Sequence, residues 1–295
     1  MRVFITGATG FIGSAVVDEL VGAGHQVIGL ARSDAGAKQL AAAGAGVLRG
    51  SLEDLDSLKR GAAEAEAVLH LAFIHDFTDF AASCAKDVTA IEVLGGVLVG
   101  SNRPLVVSSG VLGLAQGRTG TEEDVPAHGF PRKSEETALS FAPKGVRASV
   151  IRLSPSVHGD GDHGFVPMLI NAARDKGFAS YVGDGKNRWP AVHRLDAARL
   201  YRLALEKGTA GGRYHGVAEE GVPTRDIAEM ISKRLGVPAV SKSAEEVAGA
   251  LGFIGHVLAM DAPSSSASTQ ERLGWRPTQP GLLADLEKGT YFDAR

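Results

Sequence analysis

The sequence predicts an α/β fold: a doubly wound parallel sheet with a smaller C-terminal lobe. Over the first half of the chain, short β-rich runs alternate with helical patterns, which is the order of a parallel sheet with helices on both faces. The first run, residues 3–6, also passes directly into a glycine-rich turn followed by a helical pattern. With 295 residues, 44% of them apolar, the chain is long enough to bury a sizeable core.

The predicted elements follow one another with short connections. Strands are predicted at residues 3–6, 26–30, 46–48, 67–71, 104–108 and 148–153, and helices at 14–23, 34–43, 55–61, 79–99 and 132–142. The amino-acid composition changes after Arg152, where a segment rich in Gly, Pro, His and Asp begins. Beyond it, helices are predicted near residues 166–176, 197–206, 223–235 and 264–273, and a strand near 181–185.

The glycine-rich turn is typical of a pyrophosphate site. Glycine lets the backbone approach the phosphates, and the helix that follows offers N–H groups and the positive end of its dipole. The predicted dinucleotide contacts are Gly7, Thr9, Gly10, Phe11, Ile12 and Gly13. We therefore assign residues 1–153, with 188–208 returning to them, to a Rossmann-type dinucleotide-binding domain. Residues 154–187 and 209–295 are assigned to a smaller substrate-binding lobe over the carboxyl edge of the sheet.

The end of the second strand bears on which dinucleotide is bound. NAD-binding sites usually place Asp or Glu there, whereas this chain reads Leu30-Ala-Arg-Ser-Asp34. Arg32 can hold a 2′-phosphate and Ser33 can donate to it, so NADP(H) is favoured over NAD(H). The alternative is that Arg32 is a solvated charge at the end of the strand.

The net charge, the cysteine count and the length of the apolar runs limit which partners and which cellular location are expected for the chain. The charged residues, 31 basic and 34 acidic, give a net charge of −3 without a basic stripe, so neither nucleic acid nor membrane is expected as a partner. A single cysteine, Cys84, cannot form an internal disulfide, which fits a cytoplasmic location. No signal peptide is predicted, and the apolar run at residues 91–99 is too short to span a bilayer.

These motifs resemble those of the extended and atypical short-chain dehydrogenase/reductases, which include nucleotide-sugar epimerases and dehydratases. Thr6-Gly-Ala-Thr-Gly-Phe-Ile-Gly13 is similar to the glycine motif of that family, and the likeness covers nearly the whole chain. Further similar stretches are Gly50-Ser-Leu52, His70-Leu-Ala72, Val107-Ser-Ser109, Arg152-Leu-Ser-Pro-Ser-Val-His-Gly159 and Pro190-Ala-Val-His-Arg-Leu-Asp196. The resemblance implies a possible homodimer and cofactor contacts from Ser51, Leu52, Leu71, Ala72 and Arg132, although the family usually has Asp in place of Ser51.

The chain departs from the family at its catalytic pair. The family uses Tyr-x-x-x-Lys, which no tyrosine of this sequence satisfies. If Glu136 takes the place of the family's helix glutamate, Arg132 falls on the lysine and His128 on the tyrosine. Shifted by two residues, Phe130 and Ser134 take those places instead, and neither register restores the usual acid–base chemistry.

Another group must therefore supply the proton that carbonyl reduction requires. Histidine titrates near neutrality and serine can donate a hydrogen bond, so the candidate catalytic residues are Ser109, His75, His128 and His158. Substrate contacts are predicted for Phe73, His163, Trp189 and His193. The run from His158 to His163 has metal-like spacing, but the resemblance favours a loop that lines the substrate pocket, and no metal is expected.

The sequence thus predicts an NADP(H)-dependent oxidoreductase that reduces a carbonyl or related unsaturated group of a small, partly apolar molecule. Two alternatives stay open. One is a nucleotide-sugar epimerase or dehydratase that keeps NAD bound. The other is a catalytically silent NADP(H)-binding regulatory protein, which would explain the missing Tyr-x-x-x-Lys pair.

Overall fold

The structure, a computed structural model, describes residues 1–76, 78–126 and 132–293. Its strands are β1 (Arg2–Thr6), β2 (Gln26–Ala31), β3 (Gly46–Arg49), β4 (Ala67–His70), β5 (Pro104–Gly110), β6 (Arg147–Leu153), β7 (Ser156–His158), β8 (Ala179–Val182), β9 (Arg188–His193), β10 (Gly212–Gly216), β11 (Glu219–Pro223) and β12 (Ala239–Lys242). Its helices are α1 (Phe11–Gly22), α2 (Asp34–Ala42), α3 (Leu55–Glu64), α4 (Phe80–Leu98), α5 (Ser134–Leu139), α6 (Phe165–Lys176), α7 (Arg194–Lys207), α8 (Thr224–Leu235), α9 (Ala244–Leu251), α10 (Phe253–Leu258), α11 (Ala267–Leu273) and α12 (Leu282–Lys288).

The centre of the molecule is a parallel sheet of seven strands in the order β3-β2-β1-β4-β5-β6-β10. The strand order reverses at β1, because β2 and β3 extend to one side and the later strands to the other. Doubly wound sheets bind their ligands at the carboxyl ends of the strands near such a reversal. The predicted fold class is therefore confirmed.

Two apolar cores, one on each face, explain why the strands read as continuous apolar runs. Successive side chains of a strand point to opposite faces. Val3 and Ile5 of β1 pack with the core under α1 and α7, whereas Phe4 packs with the core under α3 and α4. Gly61 in α3 sits so close to the Phe4 ring that an added Cβ would lie 2.4 Å from it.

The smaller lobe lies over the carboxyl edge of the central sheet. It contains the three-stranded sheet β11-β9-β7 and the parallel pair β12-β8. A third apolar core ties them to the helices, with Trp189 of β9, Ile227 of α8 and Leu282 of α12 all fully or nearly fully buried. Within the described ranges, no helix combines the length and apolar character needed to cross a bilayer.

The lobe boundaries differ from those assigned from the sequence. Strand β10 belongs to the segment 209–295 that was assigned to the lobe, yet it pairs with β6 as the outermost strand of the central sheet. Within the segment 188–208, helix α7 does pack on α1, but β9 pairs with β7 and β11 in the lobe. The chain therefore crosses between the two parts more often than a change in composition can reveal.

Helix α5 is also shorter than the predicted span of residues 132–142. It starts at Ser134 and ends at Leu139, and a 3₁₀ turn at Ala142–Lys144 follows. Pro143 lies inside that turn, and the residue before a proline disfavours the α conformation. Residues 132 and 133, which the prediction included in the helix, precede it without regular secondary structure.

Candidate active site

A cleft of about 1480 Å³ lies at the carboxyl ends of the central strands, beneath the lobe. Pockets for drug-sized ligands measure roughly 300–1,000 Å³, so this cleft has room for a dinucleotide and a second molecule. Most of the predicted site residues line it: Gly7, Thr9, Gly10, Phe11, Ile12, Gly13, Arg32, Ser51, Leu52, Leu71, Ala72, Phe73, His75, Ser109, Arg132 and His163. Their roles in binding and catalysis stay predictions.

The turn between β1 and α1 has glycine where no side chain fits. Gly7 has a φ of 73°, and a Cβ on it would lie 2.7 Å from the backbone nitrogen of Ala72. A Cβ on Gly13 would lie 1.9 Å from the carbonyl oxygen of Gly7. Gly10 precedes α1 as its N-cap without a side-chain cap, so the first amides of the helix remain for an anion. This cradle fits the diphosphate of a dinucleotide.

The end of β2 presents Arg32 to the cleft. Ser33, predicted beside it as a cofactor contact, instead caps α2 by accepting a hydrogen bond from the Gly36 amide at 3.1 Å. Ser33 does not line the cleft, because its hydroxyl is turned to the helix it caps. Asp34 forms an exposed ion pair with Arg49.

The loop after β3 forms the next part of the wall. Ser51 and Leu52 line the cleft, and the Ser51 hydroxyl also accepts from the amides of Glu53 and Asp54 at 3.2 Å each. Sequence reasoning missed Glu53, which lines the cleft as well. Lys86 of α4 lies 2.6 Å from the Glu53 carboxylate and lowers its pKa. The positive charge of Lys86 therefore partly compensates the negative charge of Glu53 near Arg32.

A buried polar network underlies the cleft at the end of β4. Nδ1 of His70 lies 2.8 Å from the Thr6 hydroxyl, and Nε2 lies 3.1 Å from a carboxylate oxygen of Asp87. Asp87 also accepts a hydrogen bond from the Ser134 hydroxyl. Burial alone would raise the pKa of Asp87, but the hydrogen bond and charge of His70 and the charge of Arg132 hold it below its ordinary value. The network ties β1, β4, α4 and the start of α5 together.

Arg132 joins this network to the cleft. Its Nε donates to the Ser134 hydroxyl at 2.8 Å, and its Nη2 donates to the carbonyl oxygen of Ser108 at 3.1 Å. Its guanidinium carbon lies 4.3 Å from the centre of the Phe73 ring. Burial lowers the pKa of the guanidinium, and the nearby Asp87 carboxylate opposes that shift. Arg132 is therefore a cation fixed at the cleft by several contacts.

The two serines at the end of β5 have different surroundings. Ser109 lines the cleft and is partly exposed. The Ser108 hydroxyl donates to the carbonyl oxygen of His70 at 3.1 Å and lies 2.6 Å from the Tyr201 hydroxyl. Tyr201, on α7, is fully buried and its burial raises its pKa. Sequence reasoning missed this tyrosine because it lies far along the chain from the serine it contacts.

His75 stands on the loop after β4 with its ring exposed to the cleft. The ring packs edge-on against Phe73, with the ring centres 5.2 Å apart. Partial burial in the cleft and the charge of Arg132 lower the pKa of His75 from its ordinary value. Its neighbour Asp76 accepts two hydrogen bonds from Thr78, through the backbone amide and the hydroxyl.

Three residues predicted to act at the substrate face lie outside the cleft. Trp189 is fully buried in the lobe, where its indole N–H donates to a backbone carbonyl of α10 at 3.2 Å. His158 is buried with its Nδ1 2.8 Å from Asp285, and its ring centre lies 5.3 Å from that of His193. Side chains alternate along a strand, so Val157 of β7 lines the cleft and His158 points the other way.

The residues between His158 and His163 do not converge on one point. His163 lines the cleft, with its ring centre 5.8 Å from that of Phe11. Asp162 is buried, which raises its pKa, and it accepts a hydrogen bond from the Tyr291 hydroxyl at 3.0 Å. The remaining catalytic candidate, His128, lies outside the described residues, as does Phe130.

The fold and the glycine cradle together are those of dinucleotide-binding proteins of the Rossmann type. A sequence model of the NAD dependent epimerase/dehydratase family matches residues 3–99. A protein of Schizosaccharomyces pombe, described as uncharacterised, is 52% identical over 295 residues, which are 99% of this chain and 100% of that protein. The 2-alkyl-3-oxoalkanoate reductase of Stenotrophomonas maltophilia is 29% identical over 261 residues, 82% of this chain and 78% of the reductase.

Among solved structures, a dTDP-glucose 4,6-dehydratase of Streptomyces venezuelae with NAD and TYD bound has the same fold. The two superpose with a TM-score of 0.77 at 22% identity, over 97% of this chain and 96% of the dehydratase. The chain belongs to the NAD-dependent epimerase/dehydratase family within the extended short-chain dehydrogenase/reductases, an NAD(P)-dependent family of oxidoreductases.

Proposed function

We propose that the protein is an NADPH-dependent reductase of a carbonyl or related unsaturated group on a small, partly apolar molecule. One observation carries the proposal: a single cleft joins the glycine cradle and Arg32 at one end to His75, Arg132 and apolar side chains at the other. The reductase named above, which shares 29% identity with this chain, supports the same reaction class.

The preference for NADP(H) rests on the charges around the end of β2. Arg32 is a cation at the place where NAD-binding sites carry a carboxylate. Of the nearby carboxylates, Asp34 is paired with Arg49 and Glu53 with Lys86. A 2′-phosphate would therefore find an arginine beside two carboxylates that each have their own cation.

His75 is proposed to supply the proton. When bound, NADPH supplies the hydride to the substrate carbon. The imidazolium of His75 donates its proton to the oxygen that becomes the hydroxyl group, and solvent in the open cleft restores it. Arg132 holds the cofactor ribose in place of the family's lysine, and Ser109 donates a hydrogen bond to the same substrate oxygen. All three residues line one cleft, and Arg132 lies close enough to His75 to lower its pKa.

The charges at the substrate end argue against a nucleotide-linked sugar. A nucleoside diphosphate needs unpaired cations. Of the described cations lining this part of the cleft, Lys133 is paired with Glu136 and Arg213 with Glu135, which leaves Arg132, proposed above to hold the cofactor ribose. The carboxylate of Asp76 adds negative charge to the same wall. A neutral substrate is the better match.

Isotope transfer tests the proposal directly. NADPH carrying deuterium at either face of C4 is incubated with the protein and a panel of aldehydes and ketones, and the alcohols are analysed by mass spectrometry. We expect deuterium in the product from one of the two labelled forms only. Tight binding of NADPH without label in any product would favour the silent regulatory protein. Copurified NAD that is neither released nor exchanged would favour the epimerase or dehydratase alternative.

A further inference from the structure

Four phenylalanine rings follow one another along the substrate end of the cleft. Phe73 lies on the loop after β4, while Phe80, Phe165 and Phe253 are the first residues of α4, α6 and α10. We call these four residues the phenylalanine wall. From this wall we propose that the substrate carries a planar aromatic ring next to its carbonyl group. This inference rests on the proposed reductase function and names its substrate class.

The rings of the wall form a continuous series. The ring centres are 5.9 Å apart for Phe73 and Phe80, 6.2 Å for Phe80 and Phe253, and 6.4 Å for Phe253 and Phe165. These are the separations at which aromatic rings attract one another in tilted and edge-to-face geometry. The series continues into the lobe core, where Trp189 lies 5.9 Å from Phe165. The wall is therefore backed by packed protein at that end.

The exposure of the wall supports a surface for a ligand. Phe253 keeps 40% of its surface exposed, and the other three rings are only half-buried although each packs against aromatic neighbours. Large apolar side chains that are partly exposed inside a concave site favour an apolar ligand. Phe253 comes from the lobe and Phe80 from the central domain, so one ligand touching both would bridge the two parts.

The wall begins beside the groups proposed to carry out the reaction. Phe73 contacts both the Arg132 guanidinium, at 4.3 Å, and the His75 ring, at 5.2 Å. A substrate whose carbonyl group lies near His75 would therefore extend its remaining atoms along Phe80 and Phe253. A flat ring presents its face or edge to both, whereas a puckered saturated ring of the same size cannot make those contacts equally well.

Two aldehydes of equal ring size test the inference. The value of kcat/KM with NADPH is measured for benzaldehyde and for cyclohexanecarbaldehyde in the wild type, in Phe253→Leu and in the control Phe292→Leu. Phe292 lies at the lobe surface with its ring against Arg234, away from the cleft. Because the intrinsic reactivity of each aldehyde is the same for every variant, the change in the ratio of the two values isolates the wall.

We expect Phe253→Leu to lower the benzaldehyde-to-cyclohexanecarbaldehyde ratio about tenfold, which corresponds to about 1.4 kcal/mol, while Phe292→Leu leaves it unchanged. A ratio that is equal in wild type and Phe253→Leu would overturn the aromatic site and leave the reductase standing.

A binding measurement separates the two proposals. Benzyl alcohol and cyclohexylmethanol are titrated by calorimetry into the protein with NADPH present, a cofactor form that cannot oxidise either alcohol. Tighter binding of benzyl alcohol that is lost in Phe253→Leu supports the wall even if no aldehyde is reduced, a result that would remove only the reductase function. Equal binding of the two alcohols would contradict the aromatic site.

Discussion

The two ends of the cleft are built from different parts of the chain. At the cofactor end, the anion site is the backbone of one continuous turn, where Gly7 and Gly13 leave no room for a side chain. At the substrate end, the surface consists of side chains such as His75, Arg132 and Phe253, which come from separate loops and helices. The comparison teaches that a backbone site is encoded in adjacent residues, whereas a side-chain site depends on how distant segments pack.

The largest effect is expected for the network that supports the substrate end. Replacing Asp87 by Ala leaves the buried His70 ring and the buried Ser134 hydroxyl without their carboxylate partner, and should lower the free energy of unfolding by about 3 to 5 kcal/mol. The measurement is urea denaturation at neutral pH. The matched control is Asp34→Ala, which removes an exposed partner of Arg49 and should change stability little.

The same network predicts how stability depends on pH. Since the pKa of Asp87 is below its ordinary value in the folded protein, its contribution is fully present above the unfolded value of about 3.9 and is lost as the pH falls through the folded value. The stability difference between wild type and Asp87→Ala should therefore shrink in acid. A difference that grows in acid would contradict the assigned charge.

At the cofactor end, Gly13→Ala should weaken NADPH binding more than about 100-fold. The new methyl group would lie 1.9 Å from the Gly7 carbonyl oxygen, so the turn must open. The control is Gly22→Ala in the same helix, which meets no atom within 4 Å and should bind NADPH like the wild type. Equal loss in both variants would show that helix stability, rather than the turn, governs binding.

Replacing His75 by Gln should lower kcat for carbonyl reduction about 100-fold, because the proposed proton donor is removed. NADPH affinity should stay unchanged, since the cofactor phosphates lie at the other end of the cleft. The readout is steady-state turnover beside a fluorescence titration with NADPH. Unchanged kcat would remove His75 from the mechanism and turn attention to the remaining candidates, Ser109 and His128.

The pH profile sharpens the role of His75. The pKa of His75 is lowered from its ordinary value, and the protonated form is the proposed donor, so kcat for reduction should fall as the pH rises through this lowered pKa. His75→Gln should flatten this limb. Arg132→Gln should move it to higher pH, because the charge that lowers the histidine pKa is gone. If kcat falls over the same pH range in both variants as in the wild type, the titrating group is not His75.

The smallest effect is expected at Arg32. Arg32→Ala should weaken NADPH binding about tenfold, or about 1.4 kcal/mol, and leave NADH binding nearly unchanged, because only NADPH carries the 2′-phosphate. The ratio of the two dissociation constants is the quantity to measure. Equal weakening for both nucleotides would show that Arg32 shapes the loop rather than recognising the phosphate.

Sequence reasoning predicted the fold class and the position of the glycine turn, and the reasons are local. A strand buried on both faces is continuously apolar, as Val3, Phe4 and Ile5 are, and a turn with positive φ at Gly7 needs glycine. Both signals are carried by neighbouring residues. The position of Arg32 at the end of β2 was also predicted from neighbouring residues. The capping of α2 by Ser33 was not predicted.

The substrate end was harder to predict because spacing does not show which way a side chain points. His158, Trp189 and His193 were assigned to the substrate face, but β7 and β9 form a sheet of the lobe and turn these side chains away from the cleft. Phe253 was not singled out, since the short helix α10 carries no motif. Phe80 and Phe253 are far apart along the chain, and their rings come together in the folded protein.

The central claim is that the backbone between β1 and α1 holds the diphosphate of NADP(H). Calorimetric titration of the folded wild type with NADPH and with NADH tests it most directly. The account predicts saturable binding of NADPH at one site per chain, at least about tenfold tighter than NADH. Folded protein that takes up neither nucleotide would contradict the claim.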